Sequence, residues 1–301
     1  MSSISFSPVV WAPVVTPFEK DYTISLSLFE AHCRRLLAGH AGLAIFGTNS
    51  EAVSVGARER RMALEHLLRS GISPDVIMAG TGCCSIEETI ELTTHAVQCG
   101  VERVLLLPPY FYKEAEVDGL ARYYGAVIEG LKGAAARVYL YNIPQYTQVV
   151  IAPELVAILR ERYGDVLAGI KDSSGNWEYA SRVLQEFAPK GLQIYCASES
   201  LLERCLPLGG AGCISATANV NPEGINSVIR LFGSQAGVNA QERANAIRQT
   251  FQSFPMIAAM KELLAKRYED ERWYRLKPPL GQLSETESKK LAARLATLGF
   301  N

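Results

Sequence analysis

Eight short β-rich segments separated by helical patterns predict an α/β fold, a (β/α)8 TIM barrel with a C-terminal helical extension. The segments recur at steps of roughly thirty residues, the length of one strand–helix unit. The chain of 301 residues also fits one barrel of about 250 residues with an appendage. The predicted strands span residues 9–15, 43–46, 76–79, 104–107, 137–141, 166–170, 193–196 and 212–215.

The segments between these strands carry apolar residues three and four positions apart, the spacing of an amphipathic helix. Leu26, Phe29, Cys33 and Leu36 show this spacing before the second strand. Towards the C-terminus the pattern is helical throughout, over residues 225–232, 240–251, 256–268 and 285–298. The sequence therefore predicts a barrel over residues 1–224, followed by the last barrel helix and a helical extension over residues 225–301.

A doubly wound open sheet is the alternative α/β fold. It would need a G-x-G-x-x-G turn after the first strand. The chain there reads Trp11-Ala-Pro-Val-Val-Thr-Pro-Phe, with two prolines that oppose a regular helix start. The closed barrel is therefore favoured.

Charge and hydropathy restrict the class of partner. Thirty basic and thirty-one acidic residues leave a formal net charge of −1, which argues against an electrostatic partner such as nucleic acid or a membrane surface. No apolar run reaches the ~18 residues of a membrane span, and the N-terminus lacks a basic segment followed by an apolar one. We therefore expect a cytoplasmic protein that acts on a small molecule.

Cysteine and histidine usage indicates neither a disulfide framework nor a metal site. The seven cysteines are an odd number without a C-x-x-C pair, which is typical of reduced thiols in the cytosol. The four histidines show no H-x-x-H or H-E-x-x-H spacing. We therefore expect no metal bound by the protein.

One lysine stands out because it ends an apolar run. Lys171 follows residues 166–170 and precedes Asp172-Ser173-Ser174-Gly175. A single lysine at a strand end more often extends its amine into water. When it is buried, however, the ammonium form is disfavoured, and a neutral amine can attack a carbonyl carbon to form a Schiff base.

The residues that follow other predicted strands strengthen this interpretation. In a barrel, the chemistry lies at the C-terminal ends of the strands. The segments expected there are Gly47-Thr48-Asn49-Ser50-Glu51, Pro108-Pro109-Tyr110-Phe111-Tyr112-Lys113 and Tyr141-Asn142-Ile143-Pro144. Hydroxyl, phenol and amide groups are thus expected around Lys171, as an enzyme acting on a carbonyl requires.

Four motifs then resemble a known family in order and spacing. They are G-T-N-S-E at 47–51, Y-N-I-P at 141–144, G-I-K-D-S-S-G at 169–175 and G-G-A-G-C-I-S-A-T-A-N-V at 209–220. The chain resembles the pyruvate-dependent class I aldolases of the dihydrodipicolinate synthase and N-acetylneuraminate lyase superfamily. The similarity extends from Trp11 to the C-terminal helices, and four motifs in register are highly specific.

The resemblance implies a mechanism in which Lys171 condenses with the ketone of pyruvate or of a 2-oxo acid. The resulting iminium would act as the electron sink, so that no external cofactor is needed. Tyr141 would relay protons at the imine and at the substrate hydroxyl. The alternative for Tyr141 is a strand aromatic that only fills the core.

The same resemblance implies how the substrate is bound. Thr48 and Asn49 would hold the carboxylate, with Gly47 allowing close approach of the backbone. Thr48 would also pass a proton to Tyr141, and Ile214 would contribute its backbone carbonyl near the lysine. The alternative for the Thr48–Asn49 pair is a turn that caps the next helix. For Glu51 we favour a structural role that ties this loop to backbone amides.

Three departures from the synthase pattern bear on the reaction. Tyr146 stands where synthases carry an arginine for the second substrate's carboxylate, and a phenol cannot form that bidentate clamp. Phe111 stands where a tyrosine reaches a neighbouring subunit's site, which leaves open whether Tyr110 or Tyr112 replaces it. Tyr110 is the candidate catalytic residue that we expect at the same rim as Lys171 and Tyr141.

The third departure is T-N-S-E in place of T-T-G-E, where Asn49 resembles the 4-hydroxy-2-oxoglutarate aldolase branch. The segment 277–284, K-P-P-L-G-Q-L-S, resembles the same branch. Ser50 replaces the usual glycine and matches no particular branch.

The favoured hypothesis is a lyase that reversibly cleaves a 4-hydroxy-2-oxo acid or 2-keto-3-deoxy sugar acid to pyruvate and an aldehyde, or dehydrates it. The alternatives are a 4-hydroxy-tetrahydrodipicolinate synthase and a catalytically silent paralogue that binds a 2-oxo acid. The pocket for the aldehyde part is expected to be built by positions such as Tyr146, Ser173, Ser198 and Glu199. The family implies a homo-oligomer, a tetramer or a dimer.

Overall fold

Eight parallel strands form a closed barrel in chain order in the computed structural model, which describes residues 8–300. The strands are β1 (Val10–Ala12), β2 (Gly42–Ile45), β3 (Ile77–Gly80), β4 (Arg103–Leu106), β5 (Arg137–Asn142), β6 (Leu167–Asp172), β7 (Gln193–Cys196) and β8 (Gly212–Ile214). The predicted (β/α)8 barrel is therefore confirmed, and each predicted strand overlaps an observed one.

Helices alternate with the strands and continue beyond the last one. They are α1 (Leu26–Ala38), α2 (Ala57–Arg69), α3 (Ile86–Gln98), α4 (Val117–Gly130), α5 (Pro144–Thr147), α6 (Pro153–Tyr163), α7 (Trp177–Phe187), α8 (Leu202–Cys205), α9 (Pro222–Arg230), α10 (Gln235–Gln252), α11 (Met256–Tyr268) and α12 (Glu285–Thr297). The last four match the predicted C-terminal helices. Between residues 8 and 300, no helix is both long and apolar enough to cross a membrane.

Most predicted strand boundaries differ by one residue from those observed, and two larger differences have a local reason. Strand β1 ends at Ala12 because Pro13 follows, and proline has no N–H to donate to a ladder. Strand β6 continues through Lys171 and Asp172 because β5 pairs with it to that point. Lys171 therefore lies within the strand, where the backbone holds it more firmly than a loop would.

The chain groups into two compact units, residues 73–214 and residues 8–72 with 215–300. The first contains β3–β8, and its fully buried side chains include Tyr124, Tyr139 and Phe187. In the second, Ile247, Phe251, Met260, Leu264, Trp273, Leu291 and Leu295 belong to one apolar core. The predicted barrel boundary at residue 224 stays a prediction.

The turn after β6 is built to start α7 directly behind the strand that carries Lys171. Gly175 adopts φ +70°, a conformation that favours glycine. Asn176 then caps α7, because its Oδ1 accepts a hydrogen bond from the backbone N of Tyr179 at 3.2 Å. The segment S-S-G-N thus forms a short, defined turn.

Candidate active site

Lys171 is a buried amine beside a phenol ring. Its side chain is only 2% exposed, and Nζ lies 4.0 Å from the ring centroid of Tyr141. The two residues are direct partners in the parallel pairing of β5 with β6. An amine over an aromatic face is attracted to it when charged. Two of the predicted catalytic residues are therefore brought together.

Two residues before Tyr141 and Lys171 on the same two strands, an aromatic ring packs against a glycine. Tyr139 pairs with Gly169, and a Cβ on Gly169 would lie 2.5 Å from the Tyr139 ring and 2.3 Å from the carbonyl oxygen of Gln193. The hydroxyl of Tyr139 donates to Gln193 Oε1 at 2.5 Å, and burial raises the pKa of Tyr139. The glycine of the G-I-K-D motif is thus needed to admit this ring.

On the opposite face of the same two strands lies a second pair, which the sequence did not predict. Side chains alternate along a strand, so Asn142 and Asp172 face away from Lys171 and Tyr141. Asn142 Nδ2 donates to Asp172 Oδ1 at 2.8 Å. Burial raises the pKa of Asp172, and the hydrogen bonds from Ser174 and Asn142 oppose this shift.

The loop after β4 is held to the segment after β5 by a lysine. Lys113 Nζ donates to the carbonyl oxygens of Tyr110 at 2.6 Å and Thr147 at 3.2 Å. Tyr110 is half-buried, whereas Phe111 and Tyr112 are 71% and 79% exposed and their rings meet edge to face at 5.3 Å. The catalytic role of Tyr110 stays a prediction.

Two residues predicted for the aldehyde pocket differ in their surroundings. Tyr146 lies in α5 and is 68% exposed. Ser173 follows β6, and its buried Oγ has no hydrogen-bond partner among residues 8–300. The backbone N of Ser173 donates to the carbonyl oxygen of Asn142 at 2.7 Å, so the backbone position of this serine is fixed.

The predicted carboxylate loop, residues 47–51, belongs to the other compact unit and follows β2. Residues 48–50 form a short 3-10 helix in which Thr48 and Asn49 are half-buried. Ser50 is fully buried: its Oγ donates to the carbonyl oxygen of Val14 at 2.5 Å and accepts from the backbone N of Gly47 at 3.3 Å. These two hydrogen bonds of Ser50 therefore stabilise the loop.

Glu51 ends this loop in a left-handed conformation, with φ 57°. Its Oε2 accepts from the backbone N of Lys277 at 2.7 Å, which matches the structural role expected for it. Its Oε1 accepts from Lys261 Nζ. No sequence signal identified Lys261, because it lies more than two hundred residues away in a helix.

Ile214 is the last residue of β8 and is buried. The role expected for its carbonyl stays a prediction. Within residues 8–300, no three His, Cys, Asp or Glu side chains come together in a way that could hold a metal ion.

Comparison with known proteins gives matches over nearly the whole chain. Residues 7–298 match the sequence model of the Dihydrodipicolinate synthetase family. A relative from Chloroflexus aurantiacus, named an uncharacterized DapA-like lyase, is 33% identical over 257 residues, which are 83% of this chain and 84% of the relative.

Two solved structures superpose closely on the barrel. The dihydrodipicolinate synthase of Agrobacterium tumefaciens is 31% identical with a TM-score of 0.87, over 96% of this chain and 98% of its own. A prophage protein of E. coli in complex with pyruvate, of the dihydrodipicolinic acid synthase family, is 26% identical with a TM-score of 0.86, over 98% of this chain and 99% of its own.

Proposed function

The chain belongs to the dihydrodipicolinate synthetase family and is a lyase of the class I aldolase type, and we propose that it acts through a Schiff base on Lys171. The proposed reaction is reversible cleavage of a 4-hydroxy-2-oxo acid or 2-keto-3-deoxy sugar acid to pyruvate and an aldehyde. The match of residues 7–298 to the family model confirms the family that the four motifs indicate. The observation that carries the proposal is the buried Lys171 amine 4.0 Å from the Tyr141 ring centroid.

In the cleavage direction, the Nζ lone pair of Lys171 attacks C2 of the substrate to give a carbinolamine. Tyr141 donates its proton to the carbinolamine hydroxyl, which leaves as water, so that an iminium and a phenolate form. The phenolate then takes the proton from the C4 hydroxyl as the C3–C4 bond breaks. The bond electrons move into the iminium to form an enamine, and the aldehyde leaves. Protonation at C3 and addition of water then release pyruvate and restore the amine. The lysine supplies the electron sink, so no separate cofactor is required.

Substrate binding is assigned by the family motif. Thr48 and Asn49 bind the carboxylate of the 2-oxo acid, with Gly47 allowing close approach, and Thr48 passes a proton to Tyr141. Ile214 contributes its backbone carbonyl to the site near the lysine. The prophage relative in complex with pyruvate supports a 2-oxo acid as the ligand class.

The residue at position 146 favours the lyase over the synthase. A tyrosine cannot give the bidentate, charged hydrogen bonds that an arginine gives to a second carboxylate. The unpartnered Ser173 Oγ supports a hydroxylated or aldehyde-bearing second half of the substrate, because a buried hydroxyl without a partner is satisfied by a polar ligand. Dehydration of the same substrate class uses the same iminium.

The second candidate is 4-hydroxy-tetrahydrodipicolinate synthesis from pyruvate and aspartate semialdehyde. The 31% identity to the Agrobacterium tumefaciens synthase favours it. A silent binding paralogue is the third, and the presence of Lys171, Tyr141 and Thr48 together opposes it.

An exposed aromatic surface, formed by the Phe111 and Tyr112 rings that meet edge to face at 5.3 Å, supports assembly with a second copy of the chain, and Tyr146 and Val150 are exposed as well. Such side chains are costly to leave in water as a group and are typical of interfaces. We propose a homo-oligomer, a dimer or tetramer, that acts in the cytoplasm.

Reductive trapping tests the proposal. The protein is incubated with pyruvate, reduced with borohydride and weighed, and we expect one irreversible adduct on Lys171 that is absent from Lys171→Ala. Lys190→Ala, which alters a surface lysine at the end of the α7 segment, serves as the matched control and keeps the adduct. No adduct with any 2-oxo acid contradicts the proposal.

Turnover separates the first two candidates. Cleavage of a 4-hydroxy-2-oxo acid faster than condensation of pyruvate with aspartate semialdehyde supports the lyase. The opposite order assigns the synthase and makes the argument from Tyr146 wrong.

A further inference from the structure

The amide–carboxylate pair of Asn142 and Asp172 lies directly behind Lys171 and Tyr141. The residues pair in the same register, Tyr141 with Lys171 and Asn142 with Asp172, at adjacent steps of the β5–β6 ladder. Both members of the rear pair are buried, and Asn142 Nδ2 donates to Asp172 Oδ1 at 2.8 Å. The side-chain bond therefore ties the two strands together one residue beyond the amine and the phenol.

The pair also accepts hydrogen bonds from the segments that follow these strands. Asn142 Oδ1 accepts from the backbone N of Ile151 at 3.1 Å. Asp172 Oδ1 accepts from the backbone N of Ser174, and Oδ2 accepts from the Ser174 hydroxyl, both at 3.0 Å. The carbonyl oxygen of Asp172 accepts from Ala197 N at 2.8 Å, beyond β7. Neither polar side chain of the pair is left unsatisfied, and each has a specific set of donors or acceptors.

We infer that Asn142 and Asp172 are positioning residues, which hold the Lys171 amine against the Tyr141 phenol by fixing the ends of β5 and β6. They touch no reacting atom, because they face the opposite side of the strands. The inference rests on the proposed Schiff-base function and deepens it. One amide and one carboxylate are required, since the amide donates to the carboxylate and accepts from the backbone at the same time.

Exchange of the two side chains tests this requirement. N142D sets two carboxylates against each other at hydrogen-bond distance, where they cannot both be ionised. D172N keeps the shape and removes the charge. The double exchange N142D/D172N restores one amide and one carboxylate in swapped places. D165N is the matched control, because Asp165 precedes the other end of β6 and its side chain is 97% exposed beside Arg160.

The measurement is the rate of borohydride-trapped adduct formation with pyruvate from pH 6 to 9, together with kcat and KM. We expect N142D to slow the reaction by about tenfold to a hundredfold at high pH, the range that a misplacement of about 1 Å can cause. The rate recovers as the pH falls and the two carboxylates share a proton. The loss is in kcat more than in KM. The double exchange returns to within about threefold of wild type, and D165N is unchanged, because interacting pairs are not additive whereas distant sites are independent.

Other titratable groups near Asp172 are Tyr179 of α7 and Cys205 of α8. Both are present in every variant, so a pH profile that changes only in N142D does not arise from them. Burial raises the pKa of Tyr179, which keeps it protonated across the range tested.

The outcomes separate this inference from the function on which it rests. A wild-type protein that forms no adduct contradicts the proposed function. A wild-type adduct together with an unchanged rate and pH profile in N142D, or a double exchange as slow as N142D, overturns the inference alone. If N142D does not fold, D172N decides: a several-fold slower adduct supports the inference, and a wild-type rate refutes it.

Discussion

Lys261 Nζ donates to Glu51 Oε1 at 2.5 Å, and neither side chain has any exposed surface. The amine also donates to the carbonyl oxygen of Arg275 at 2.6 Å and lies 4.6 Å from the Phe18 ring centroid. The other Glu51 oxygen accepts from the backbone N of Lys277. This buried ion pair joins the end of the loop 47–51 to α11 and to the segment before α12.

Removal of the Lys261 amine is expected to destabilise the fold. Lys261→Met leaves the Glu51 carboxylate buried without its counter-charge, which costs about 3–5 kcal/mol of the free energy of unfolding. Urea denaturation measures it. Lys289→Met is the matched control, because Lys289 forms an exposed pair with Glu285, and pairs of that kind contribute about 1 kcal/mol or less. Equal losses in the two variants would show that the buried pair has no special importance.

Ser50 is expected to support both the stability and the substrate affinity of its loop. Ser50→Gly removes the hydroxyl that bonds Val14 O and Gly47 N, with an expected loss of about 1–3 kcal/mol. We also expect a higher KM for pyruvate with a smaller change in kcat, since the loop is proposed to bind the carboxylate. Ser54→Gly, in the next short helix, controls for the backbone freedom of glycine. An unchanged KM would show that Ser50 does not contribute to substrate binding.

Tyr141 is expected to act through its hydroxyl rather than its ring. Tyr141→Phe keeps the aromatic face next to Lys171 Nζ and removes the proton relay. Cleavage should fall by about a hundredfold or more, the contribution of a positioned general acid or base. Tyr163→Phe, whose hydroxyl bonds Glu129 away from β5 and β6, is the control. Wild-type turnover in Tyr141→Phe would assign the relay to another group.

His32 is expected to make the fold sensitive to acid. It is fully buried, and this burial lowers its pKa to about 4, while the hydrogen bond of Nε2 with Asn219 Oδ1 opposes the shift. Between pH 6.5 and 4 the unfolded chain therefore binds a proton that the folded chain does not. Stability falls as the pH falls through this range, by about 1.4 kcal/mol per pH unit and about 3 kcal/mol in all.

Denaturation curves from pH 7 to pH 4 measure this effect. His32→Gln should have a shallower pH dependence than wild type. His40→Asn, at an exposed position with φ 59° that asparagine tolerates, should keep the wild-type slope. Parallel curves for wild type and His32→Gln would contradict the assignment.

Self-association is expected to depend on the exposed aromatic surface. Phe111→Ser should weaken the oligomer by about 2 kcal/mol or more, as for a central interface aromatic. Sedimentation as a function of protein concentration measures this. Val238→Ser, an exposed apolar residue of α10, is the control. An oligomer unaffected by Phe111→Ser would show that the interface lies on another surface of the chain.

Local patterns were sufficient for much of the fold and for part of the site. Strands separated by amphipathic helices identify a parallel barrel, and the apolar run before Lys171 identifies its strand. The end of β6 was placed two residues early, because the polar Lys171 and Asp172 ended the apolar run while the ladder with β5 continued. Asn142 was recognised as part of a motif, but its partner Asp172 depends on strand register.

By itself, the sequence determined the barrel, the family and the lysine that carries the proposed chemistry, because these depend on periodicity and on motifs contiguous in the chain. Only the tertiary structure showed that Lys171 lies against Tyr141 and that Asn142 pairs with Asp172 behind them. It also showed that Lys261 is buried against Glu51. Those contacts join residues from about thirty to more than two hundred positions apart. Their partners are selected by strand register and packing, which no local pattern encodes.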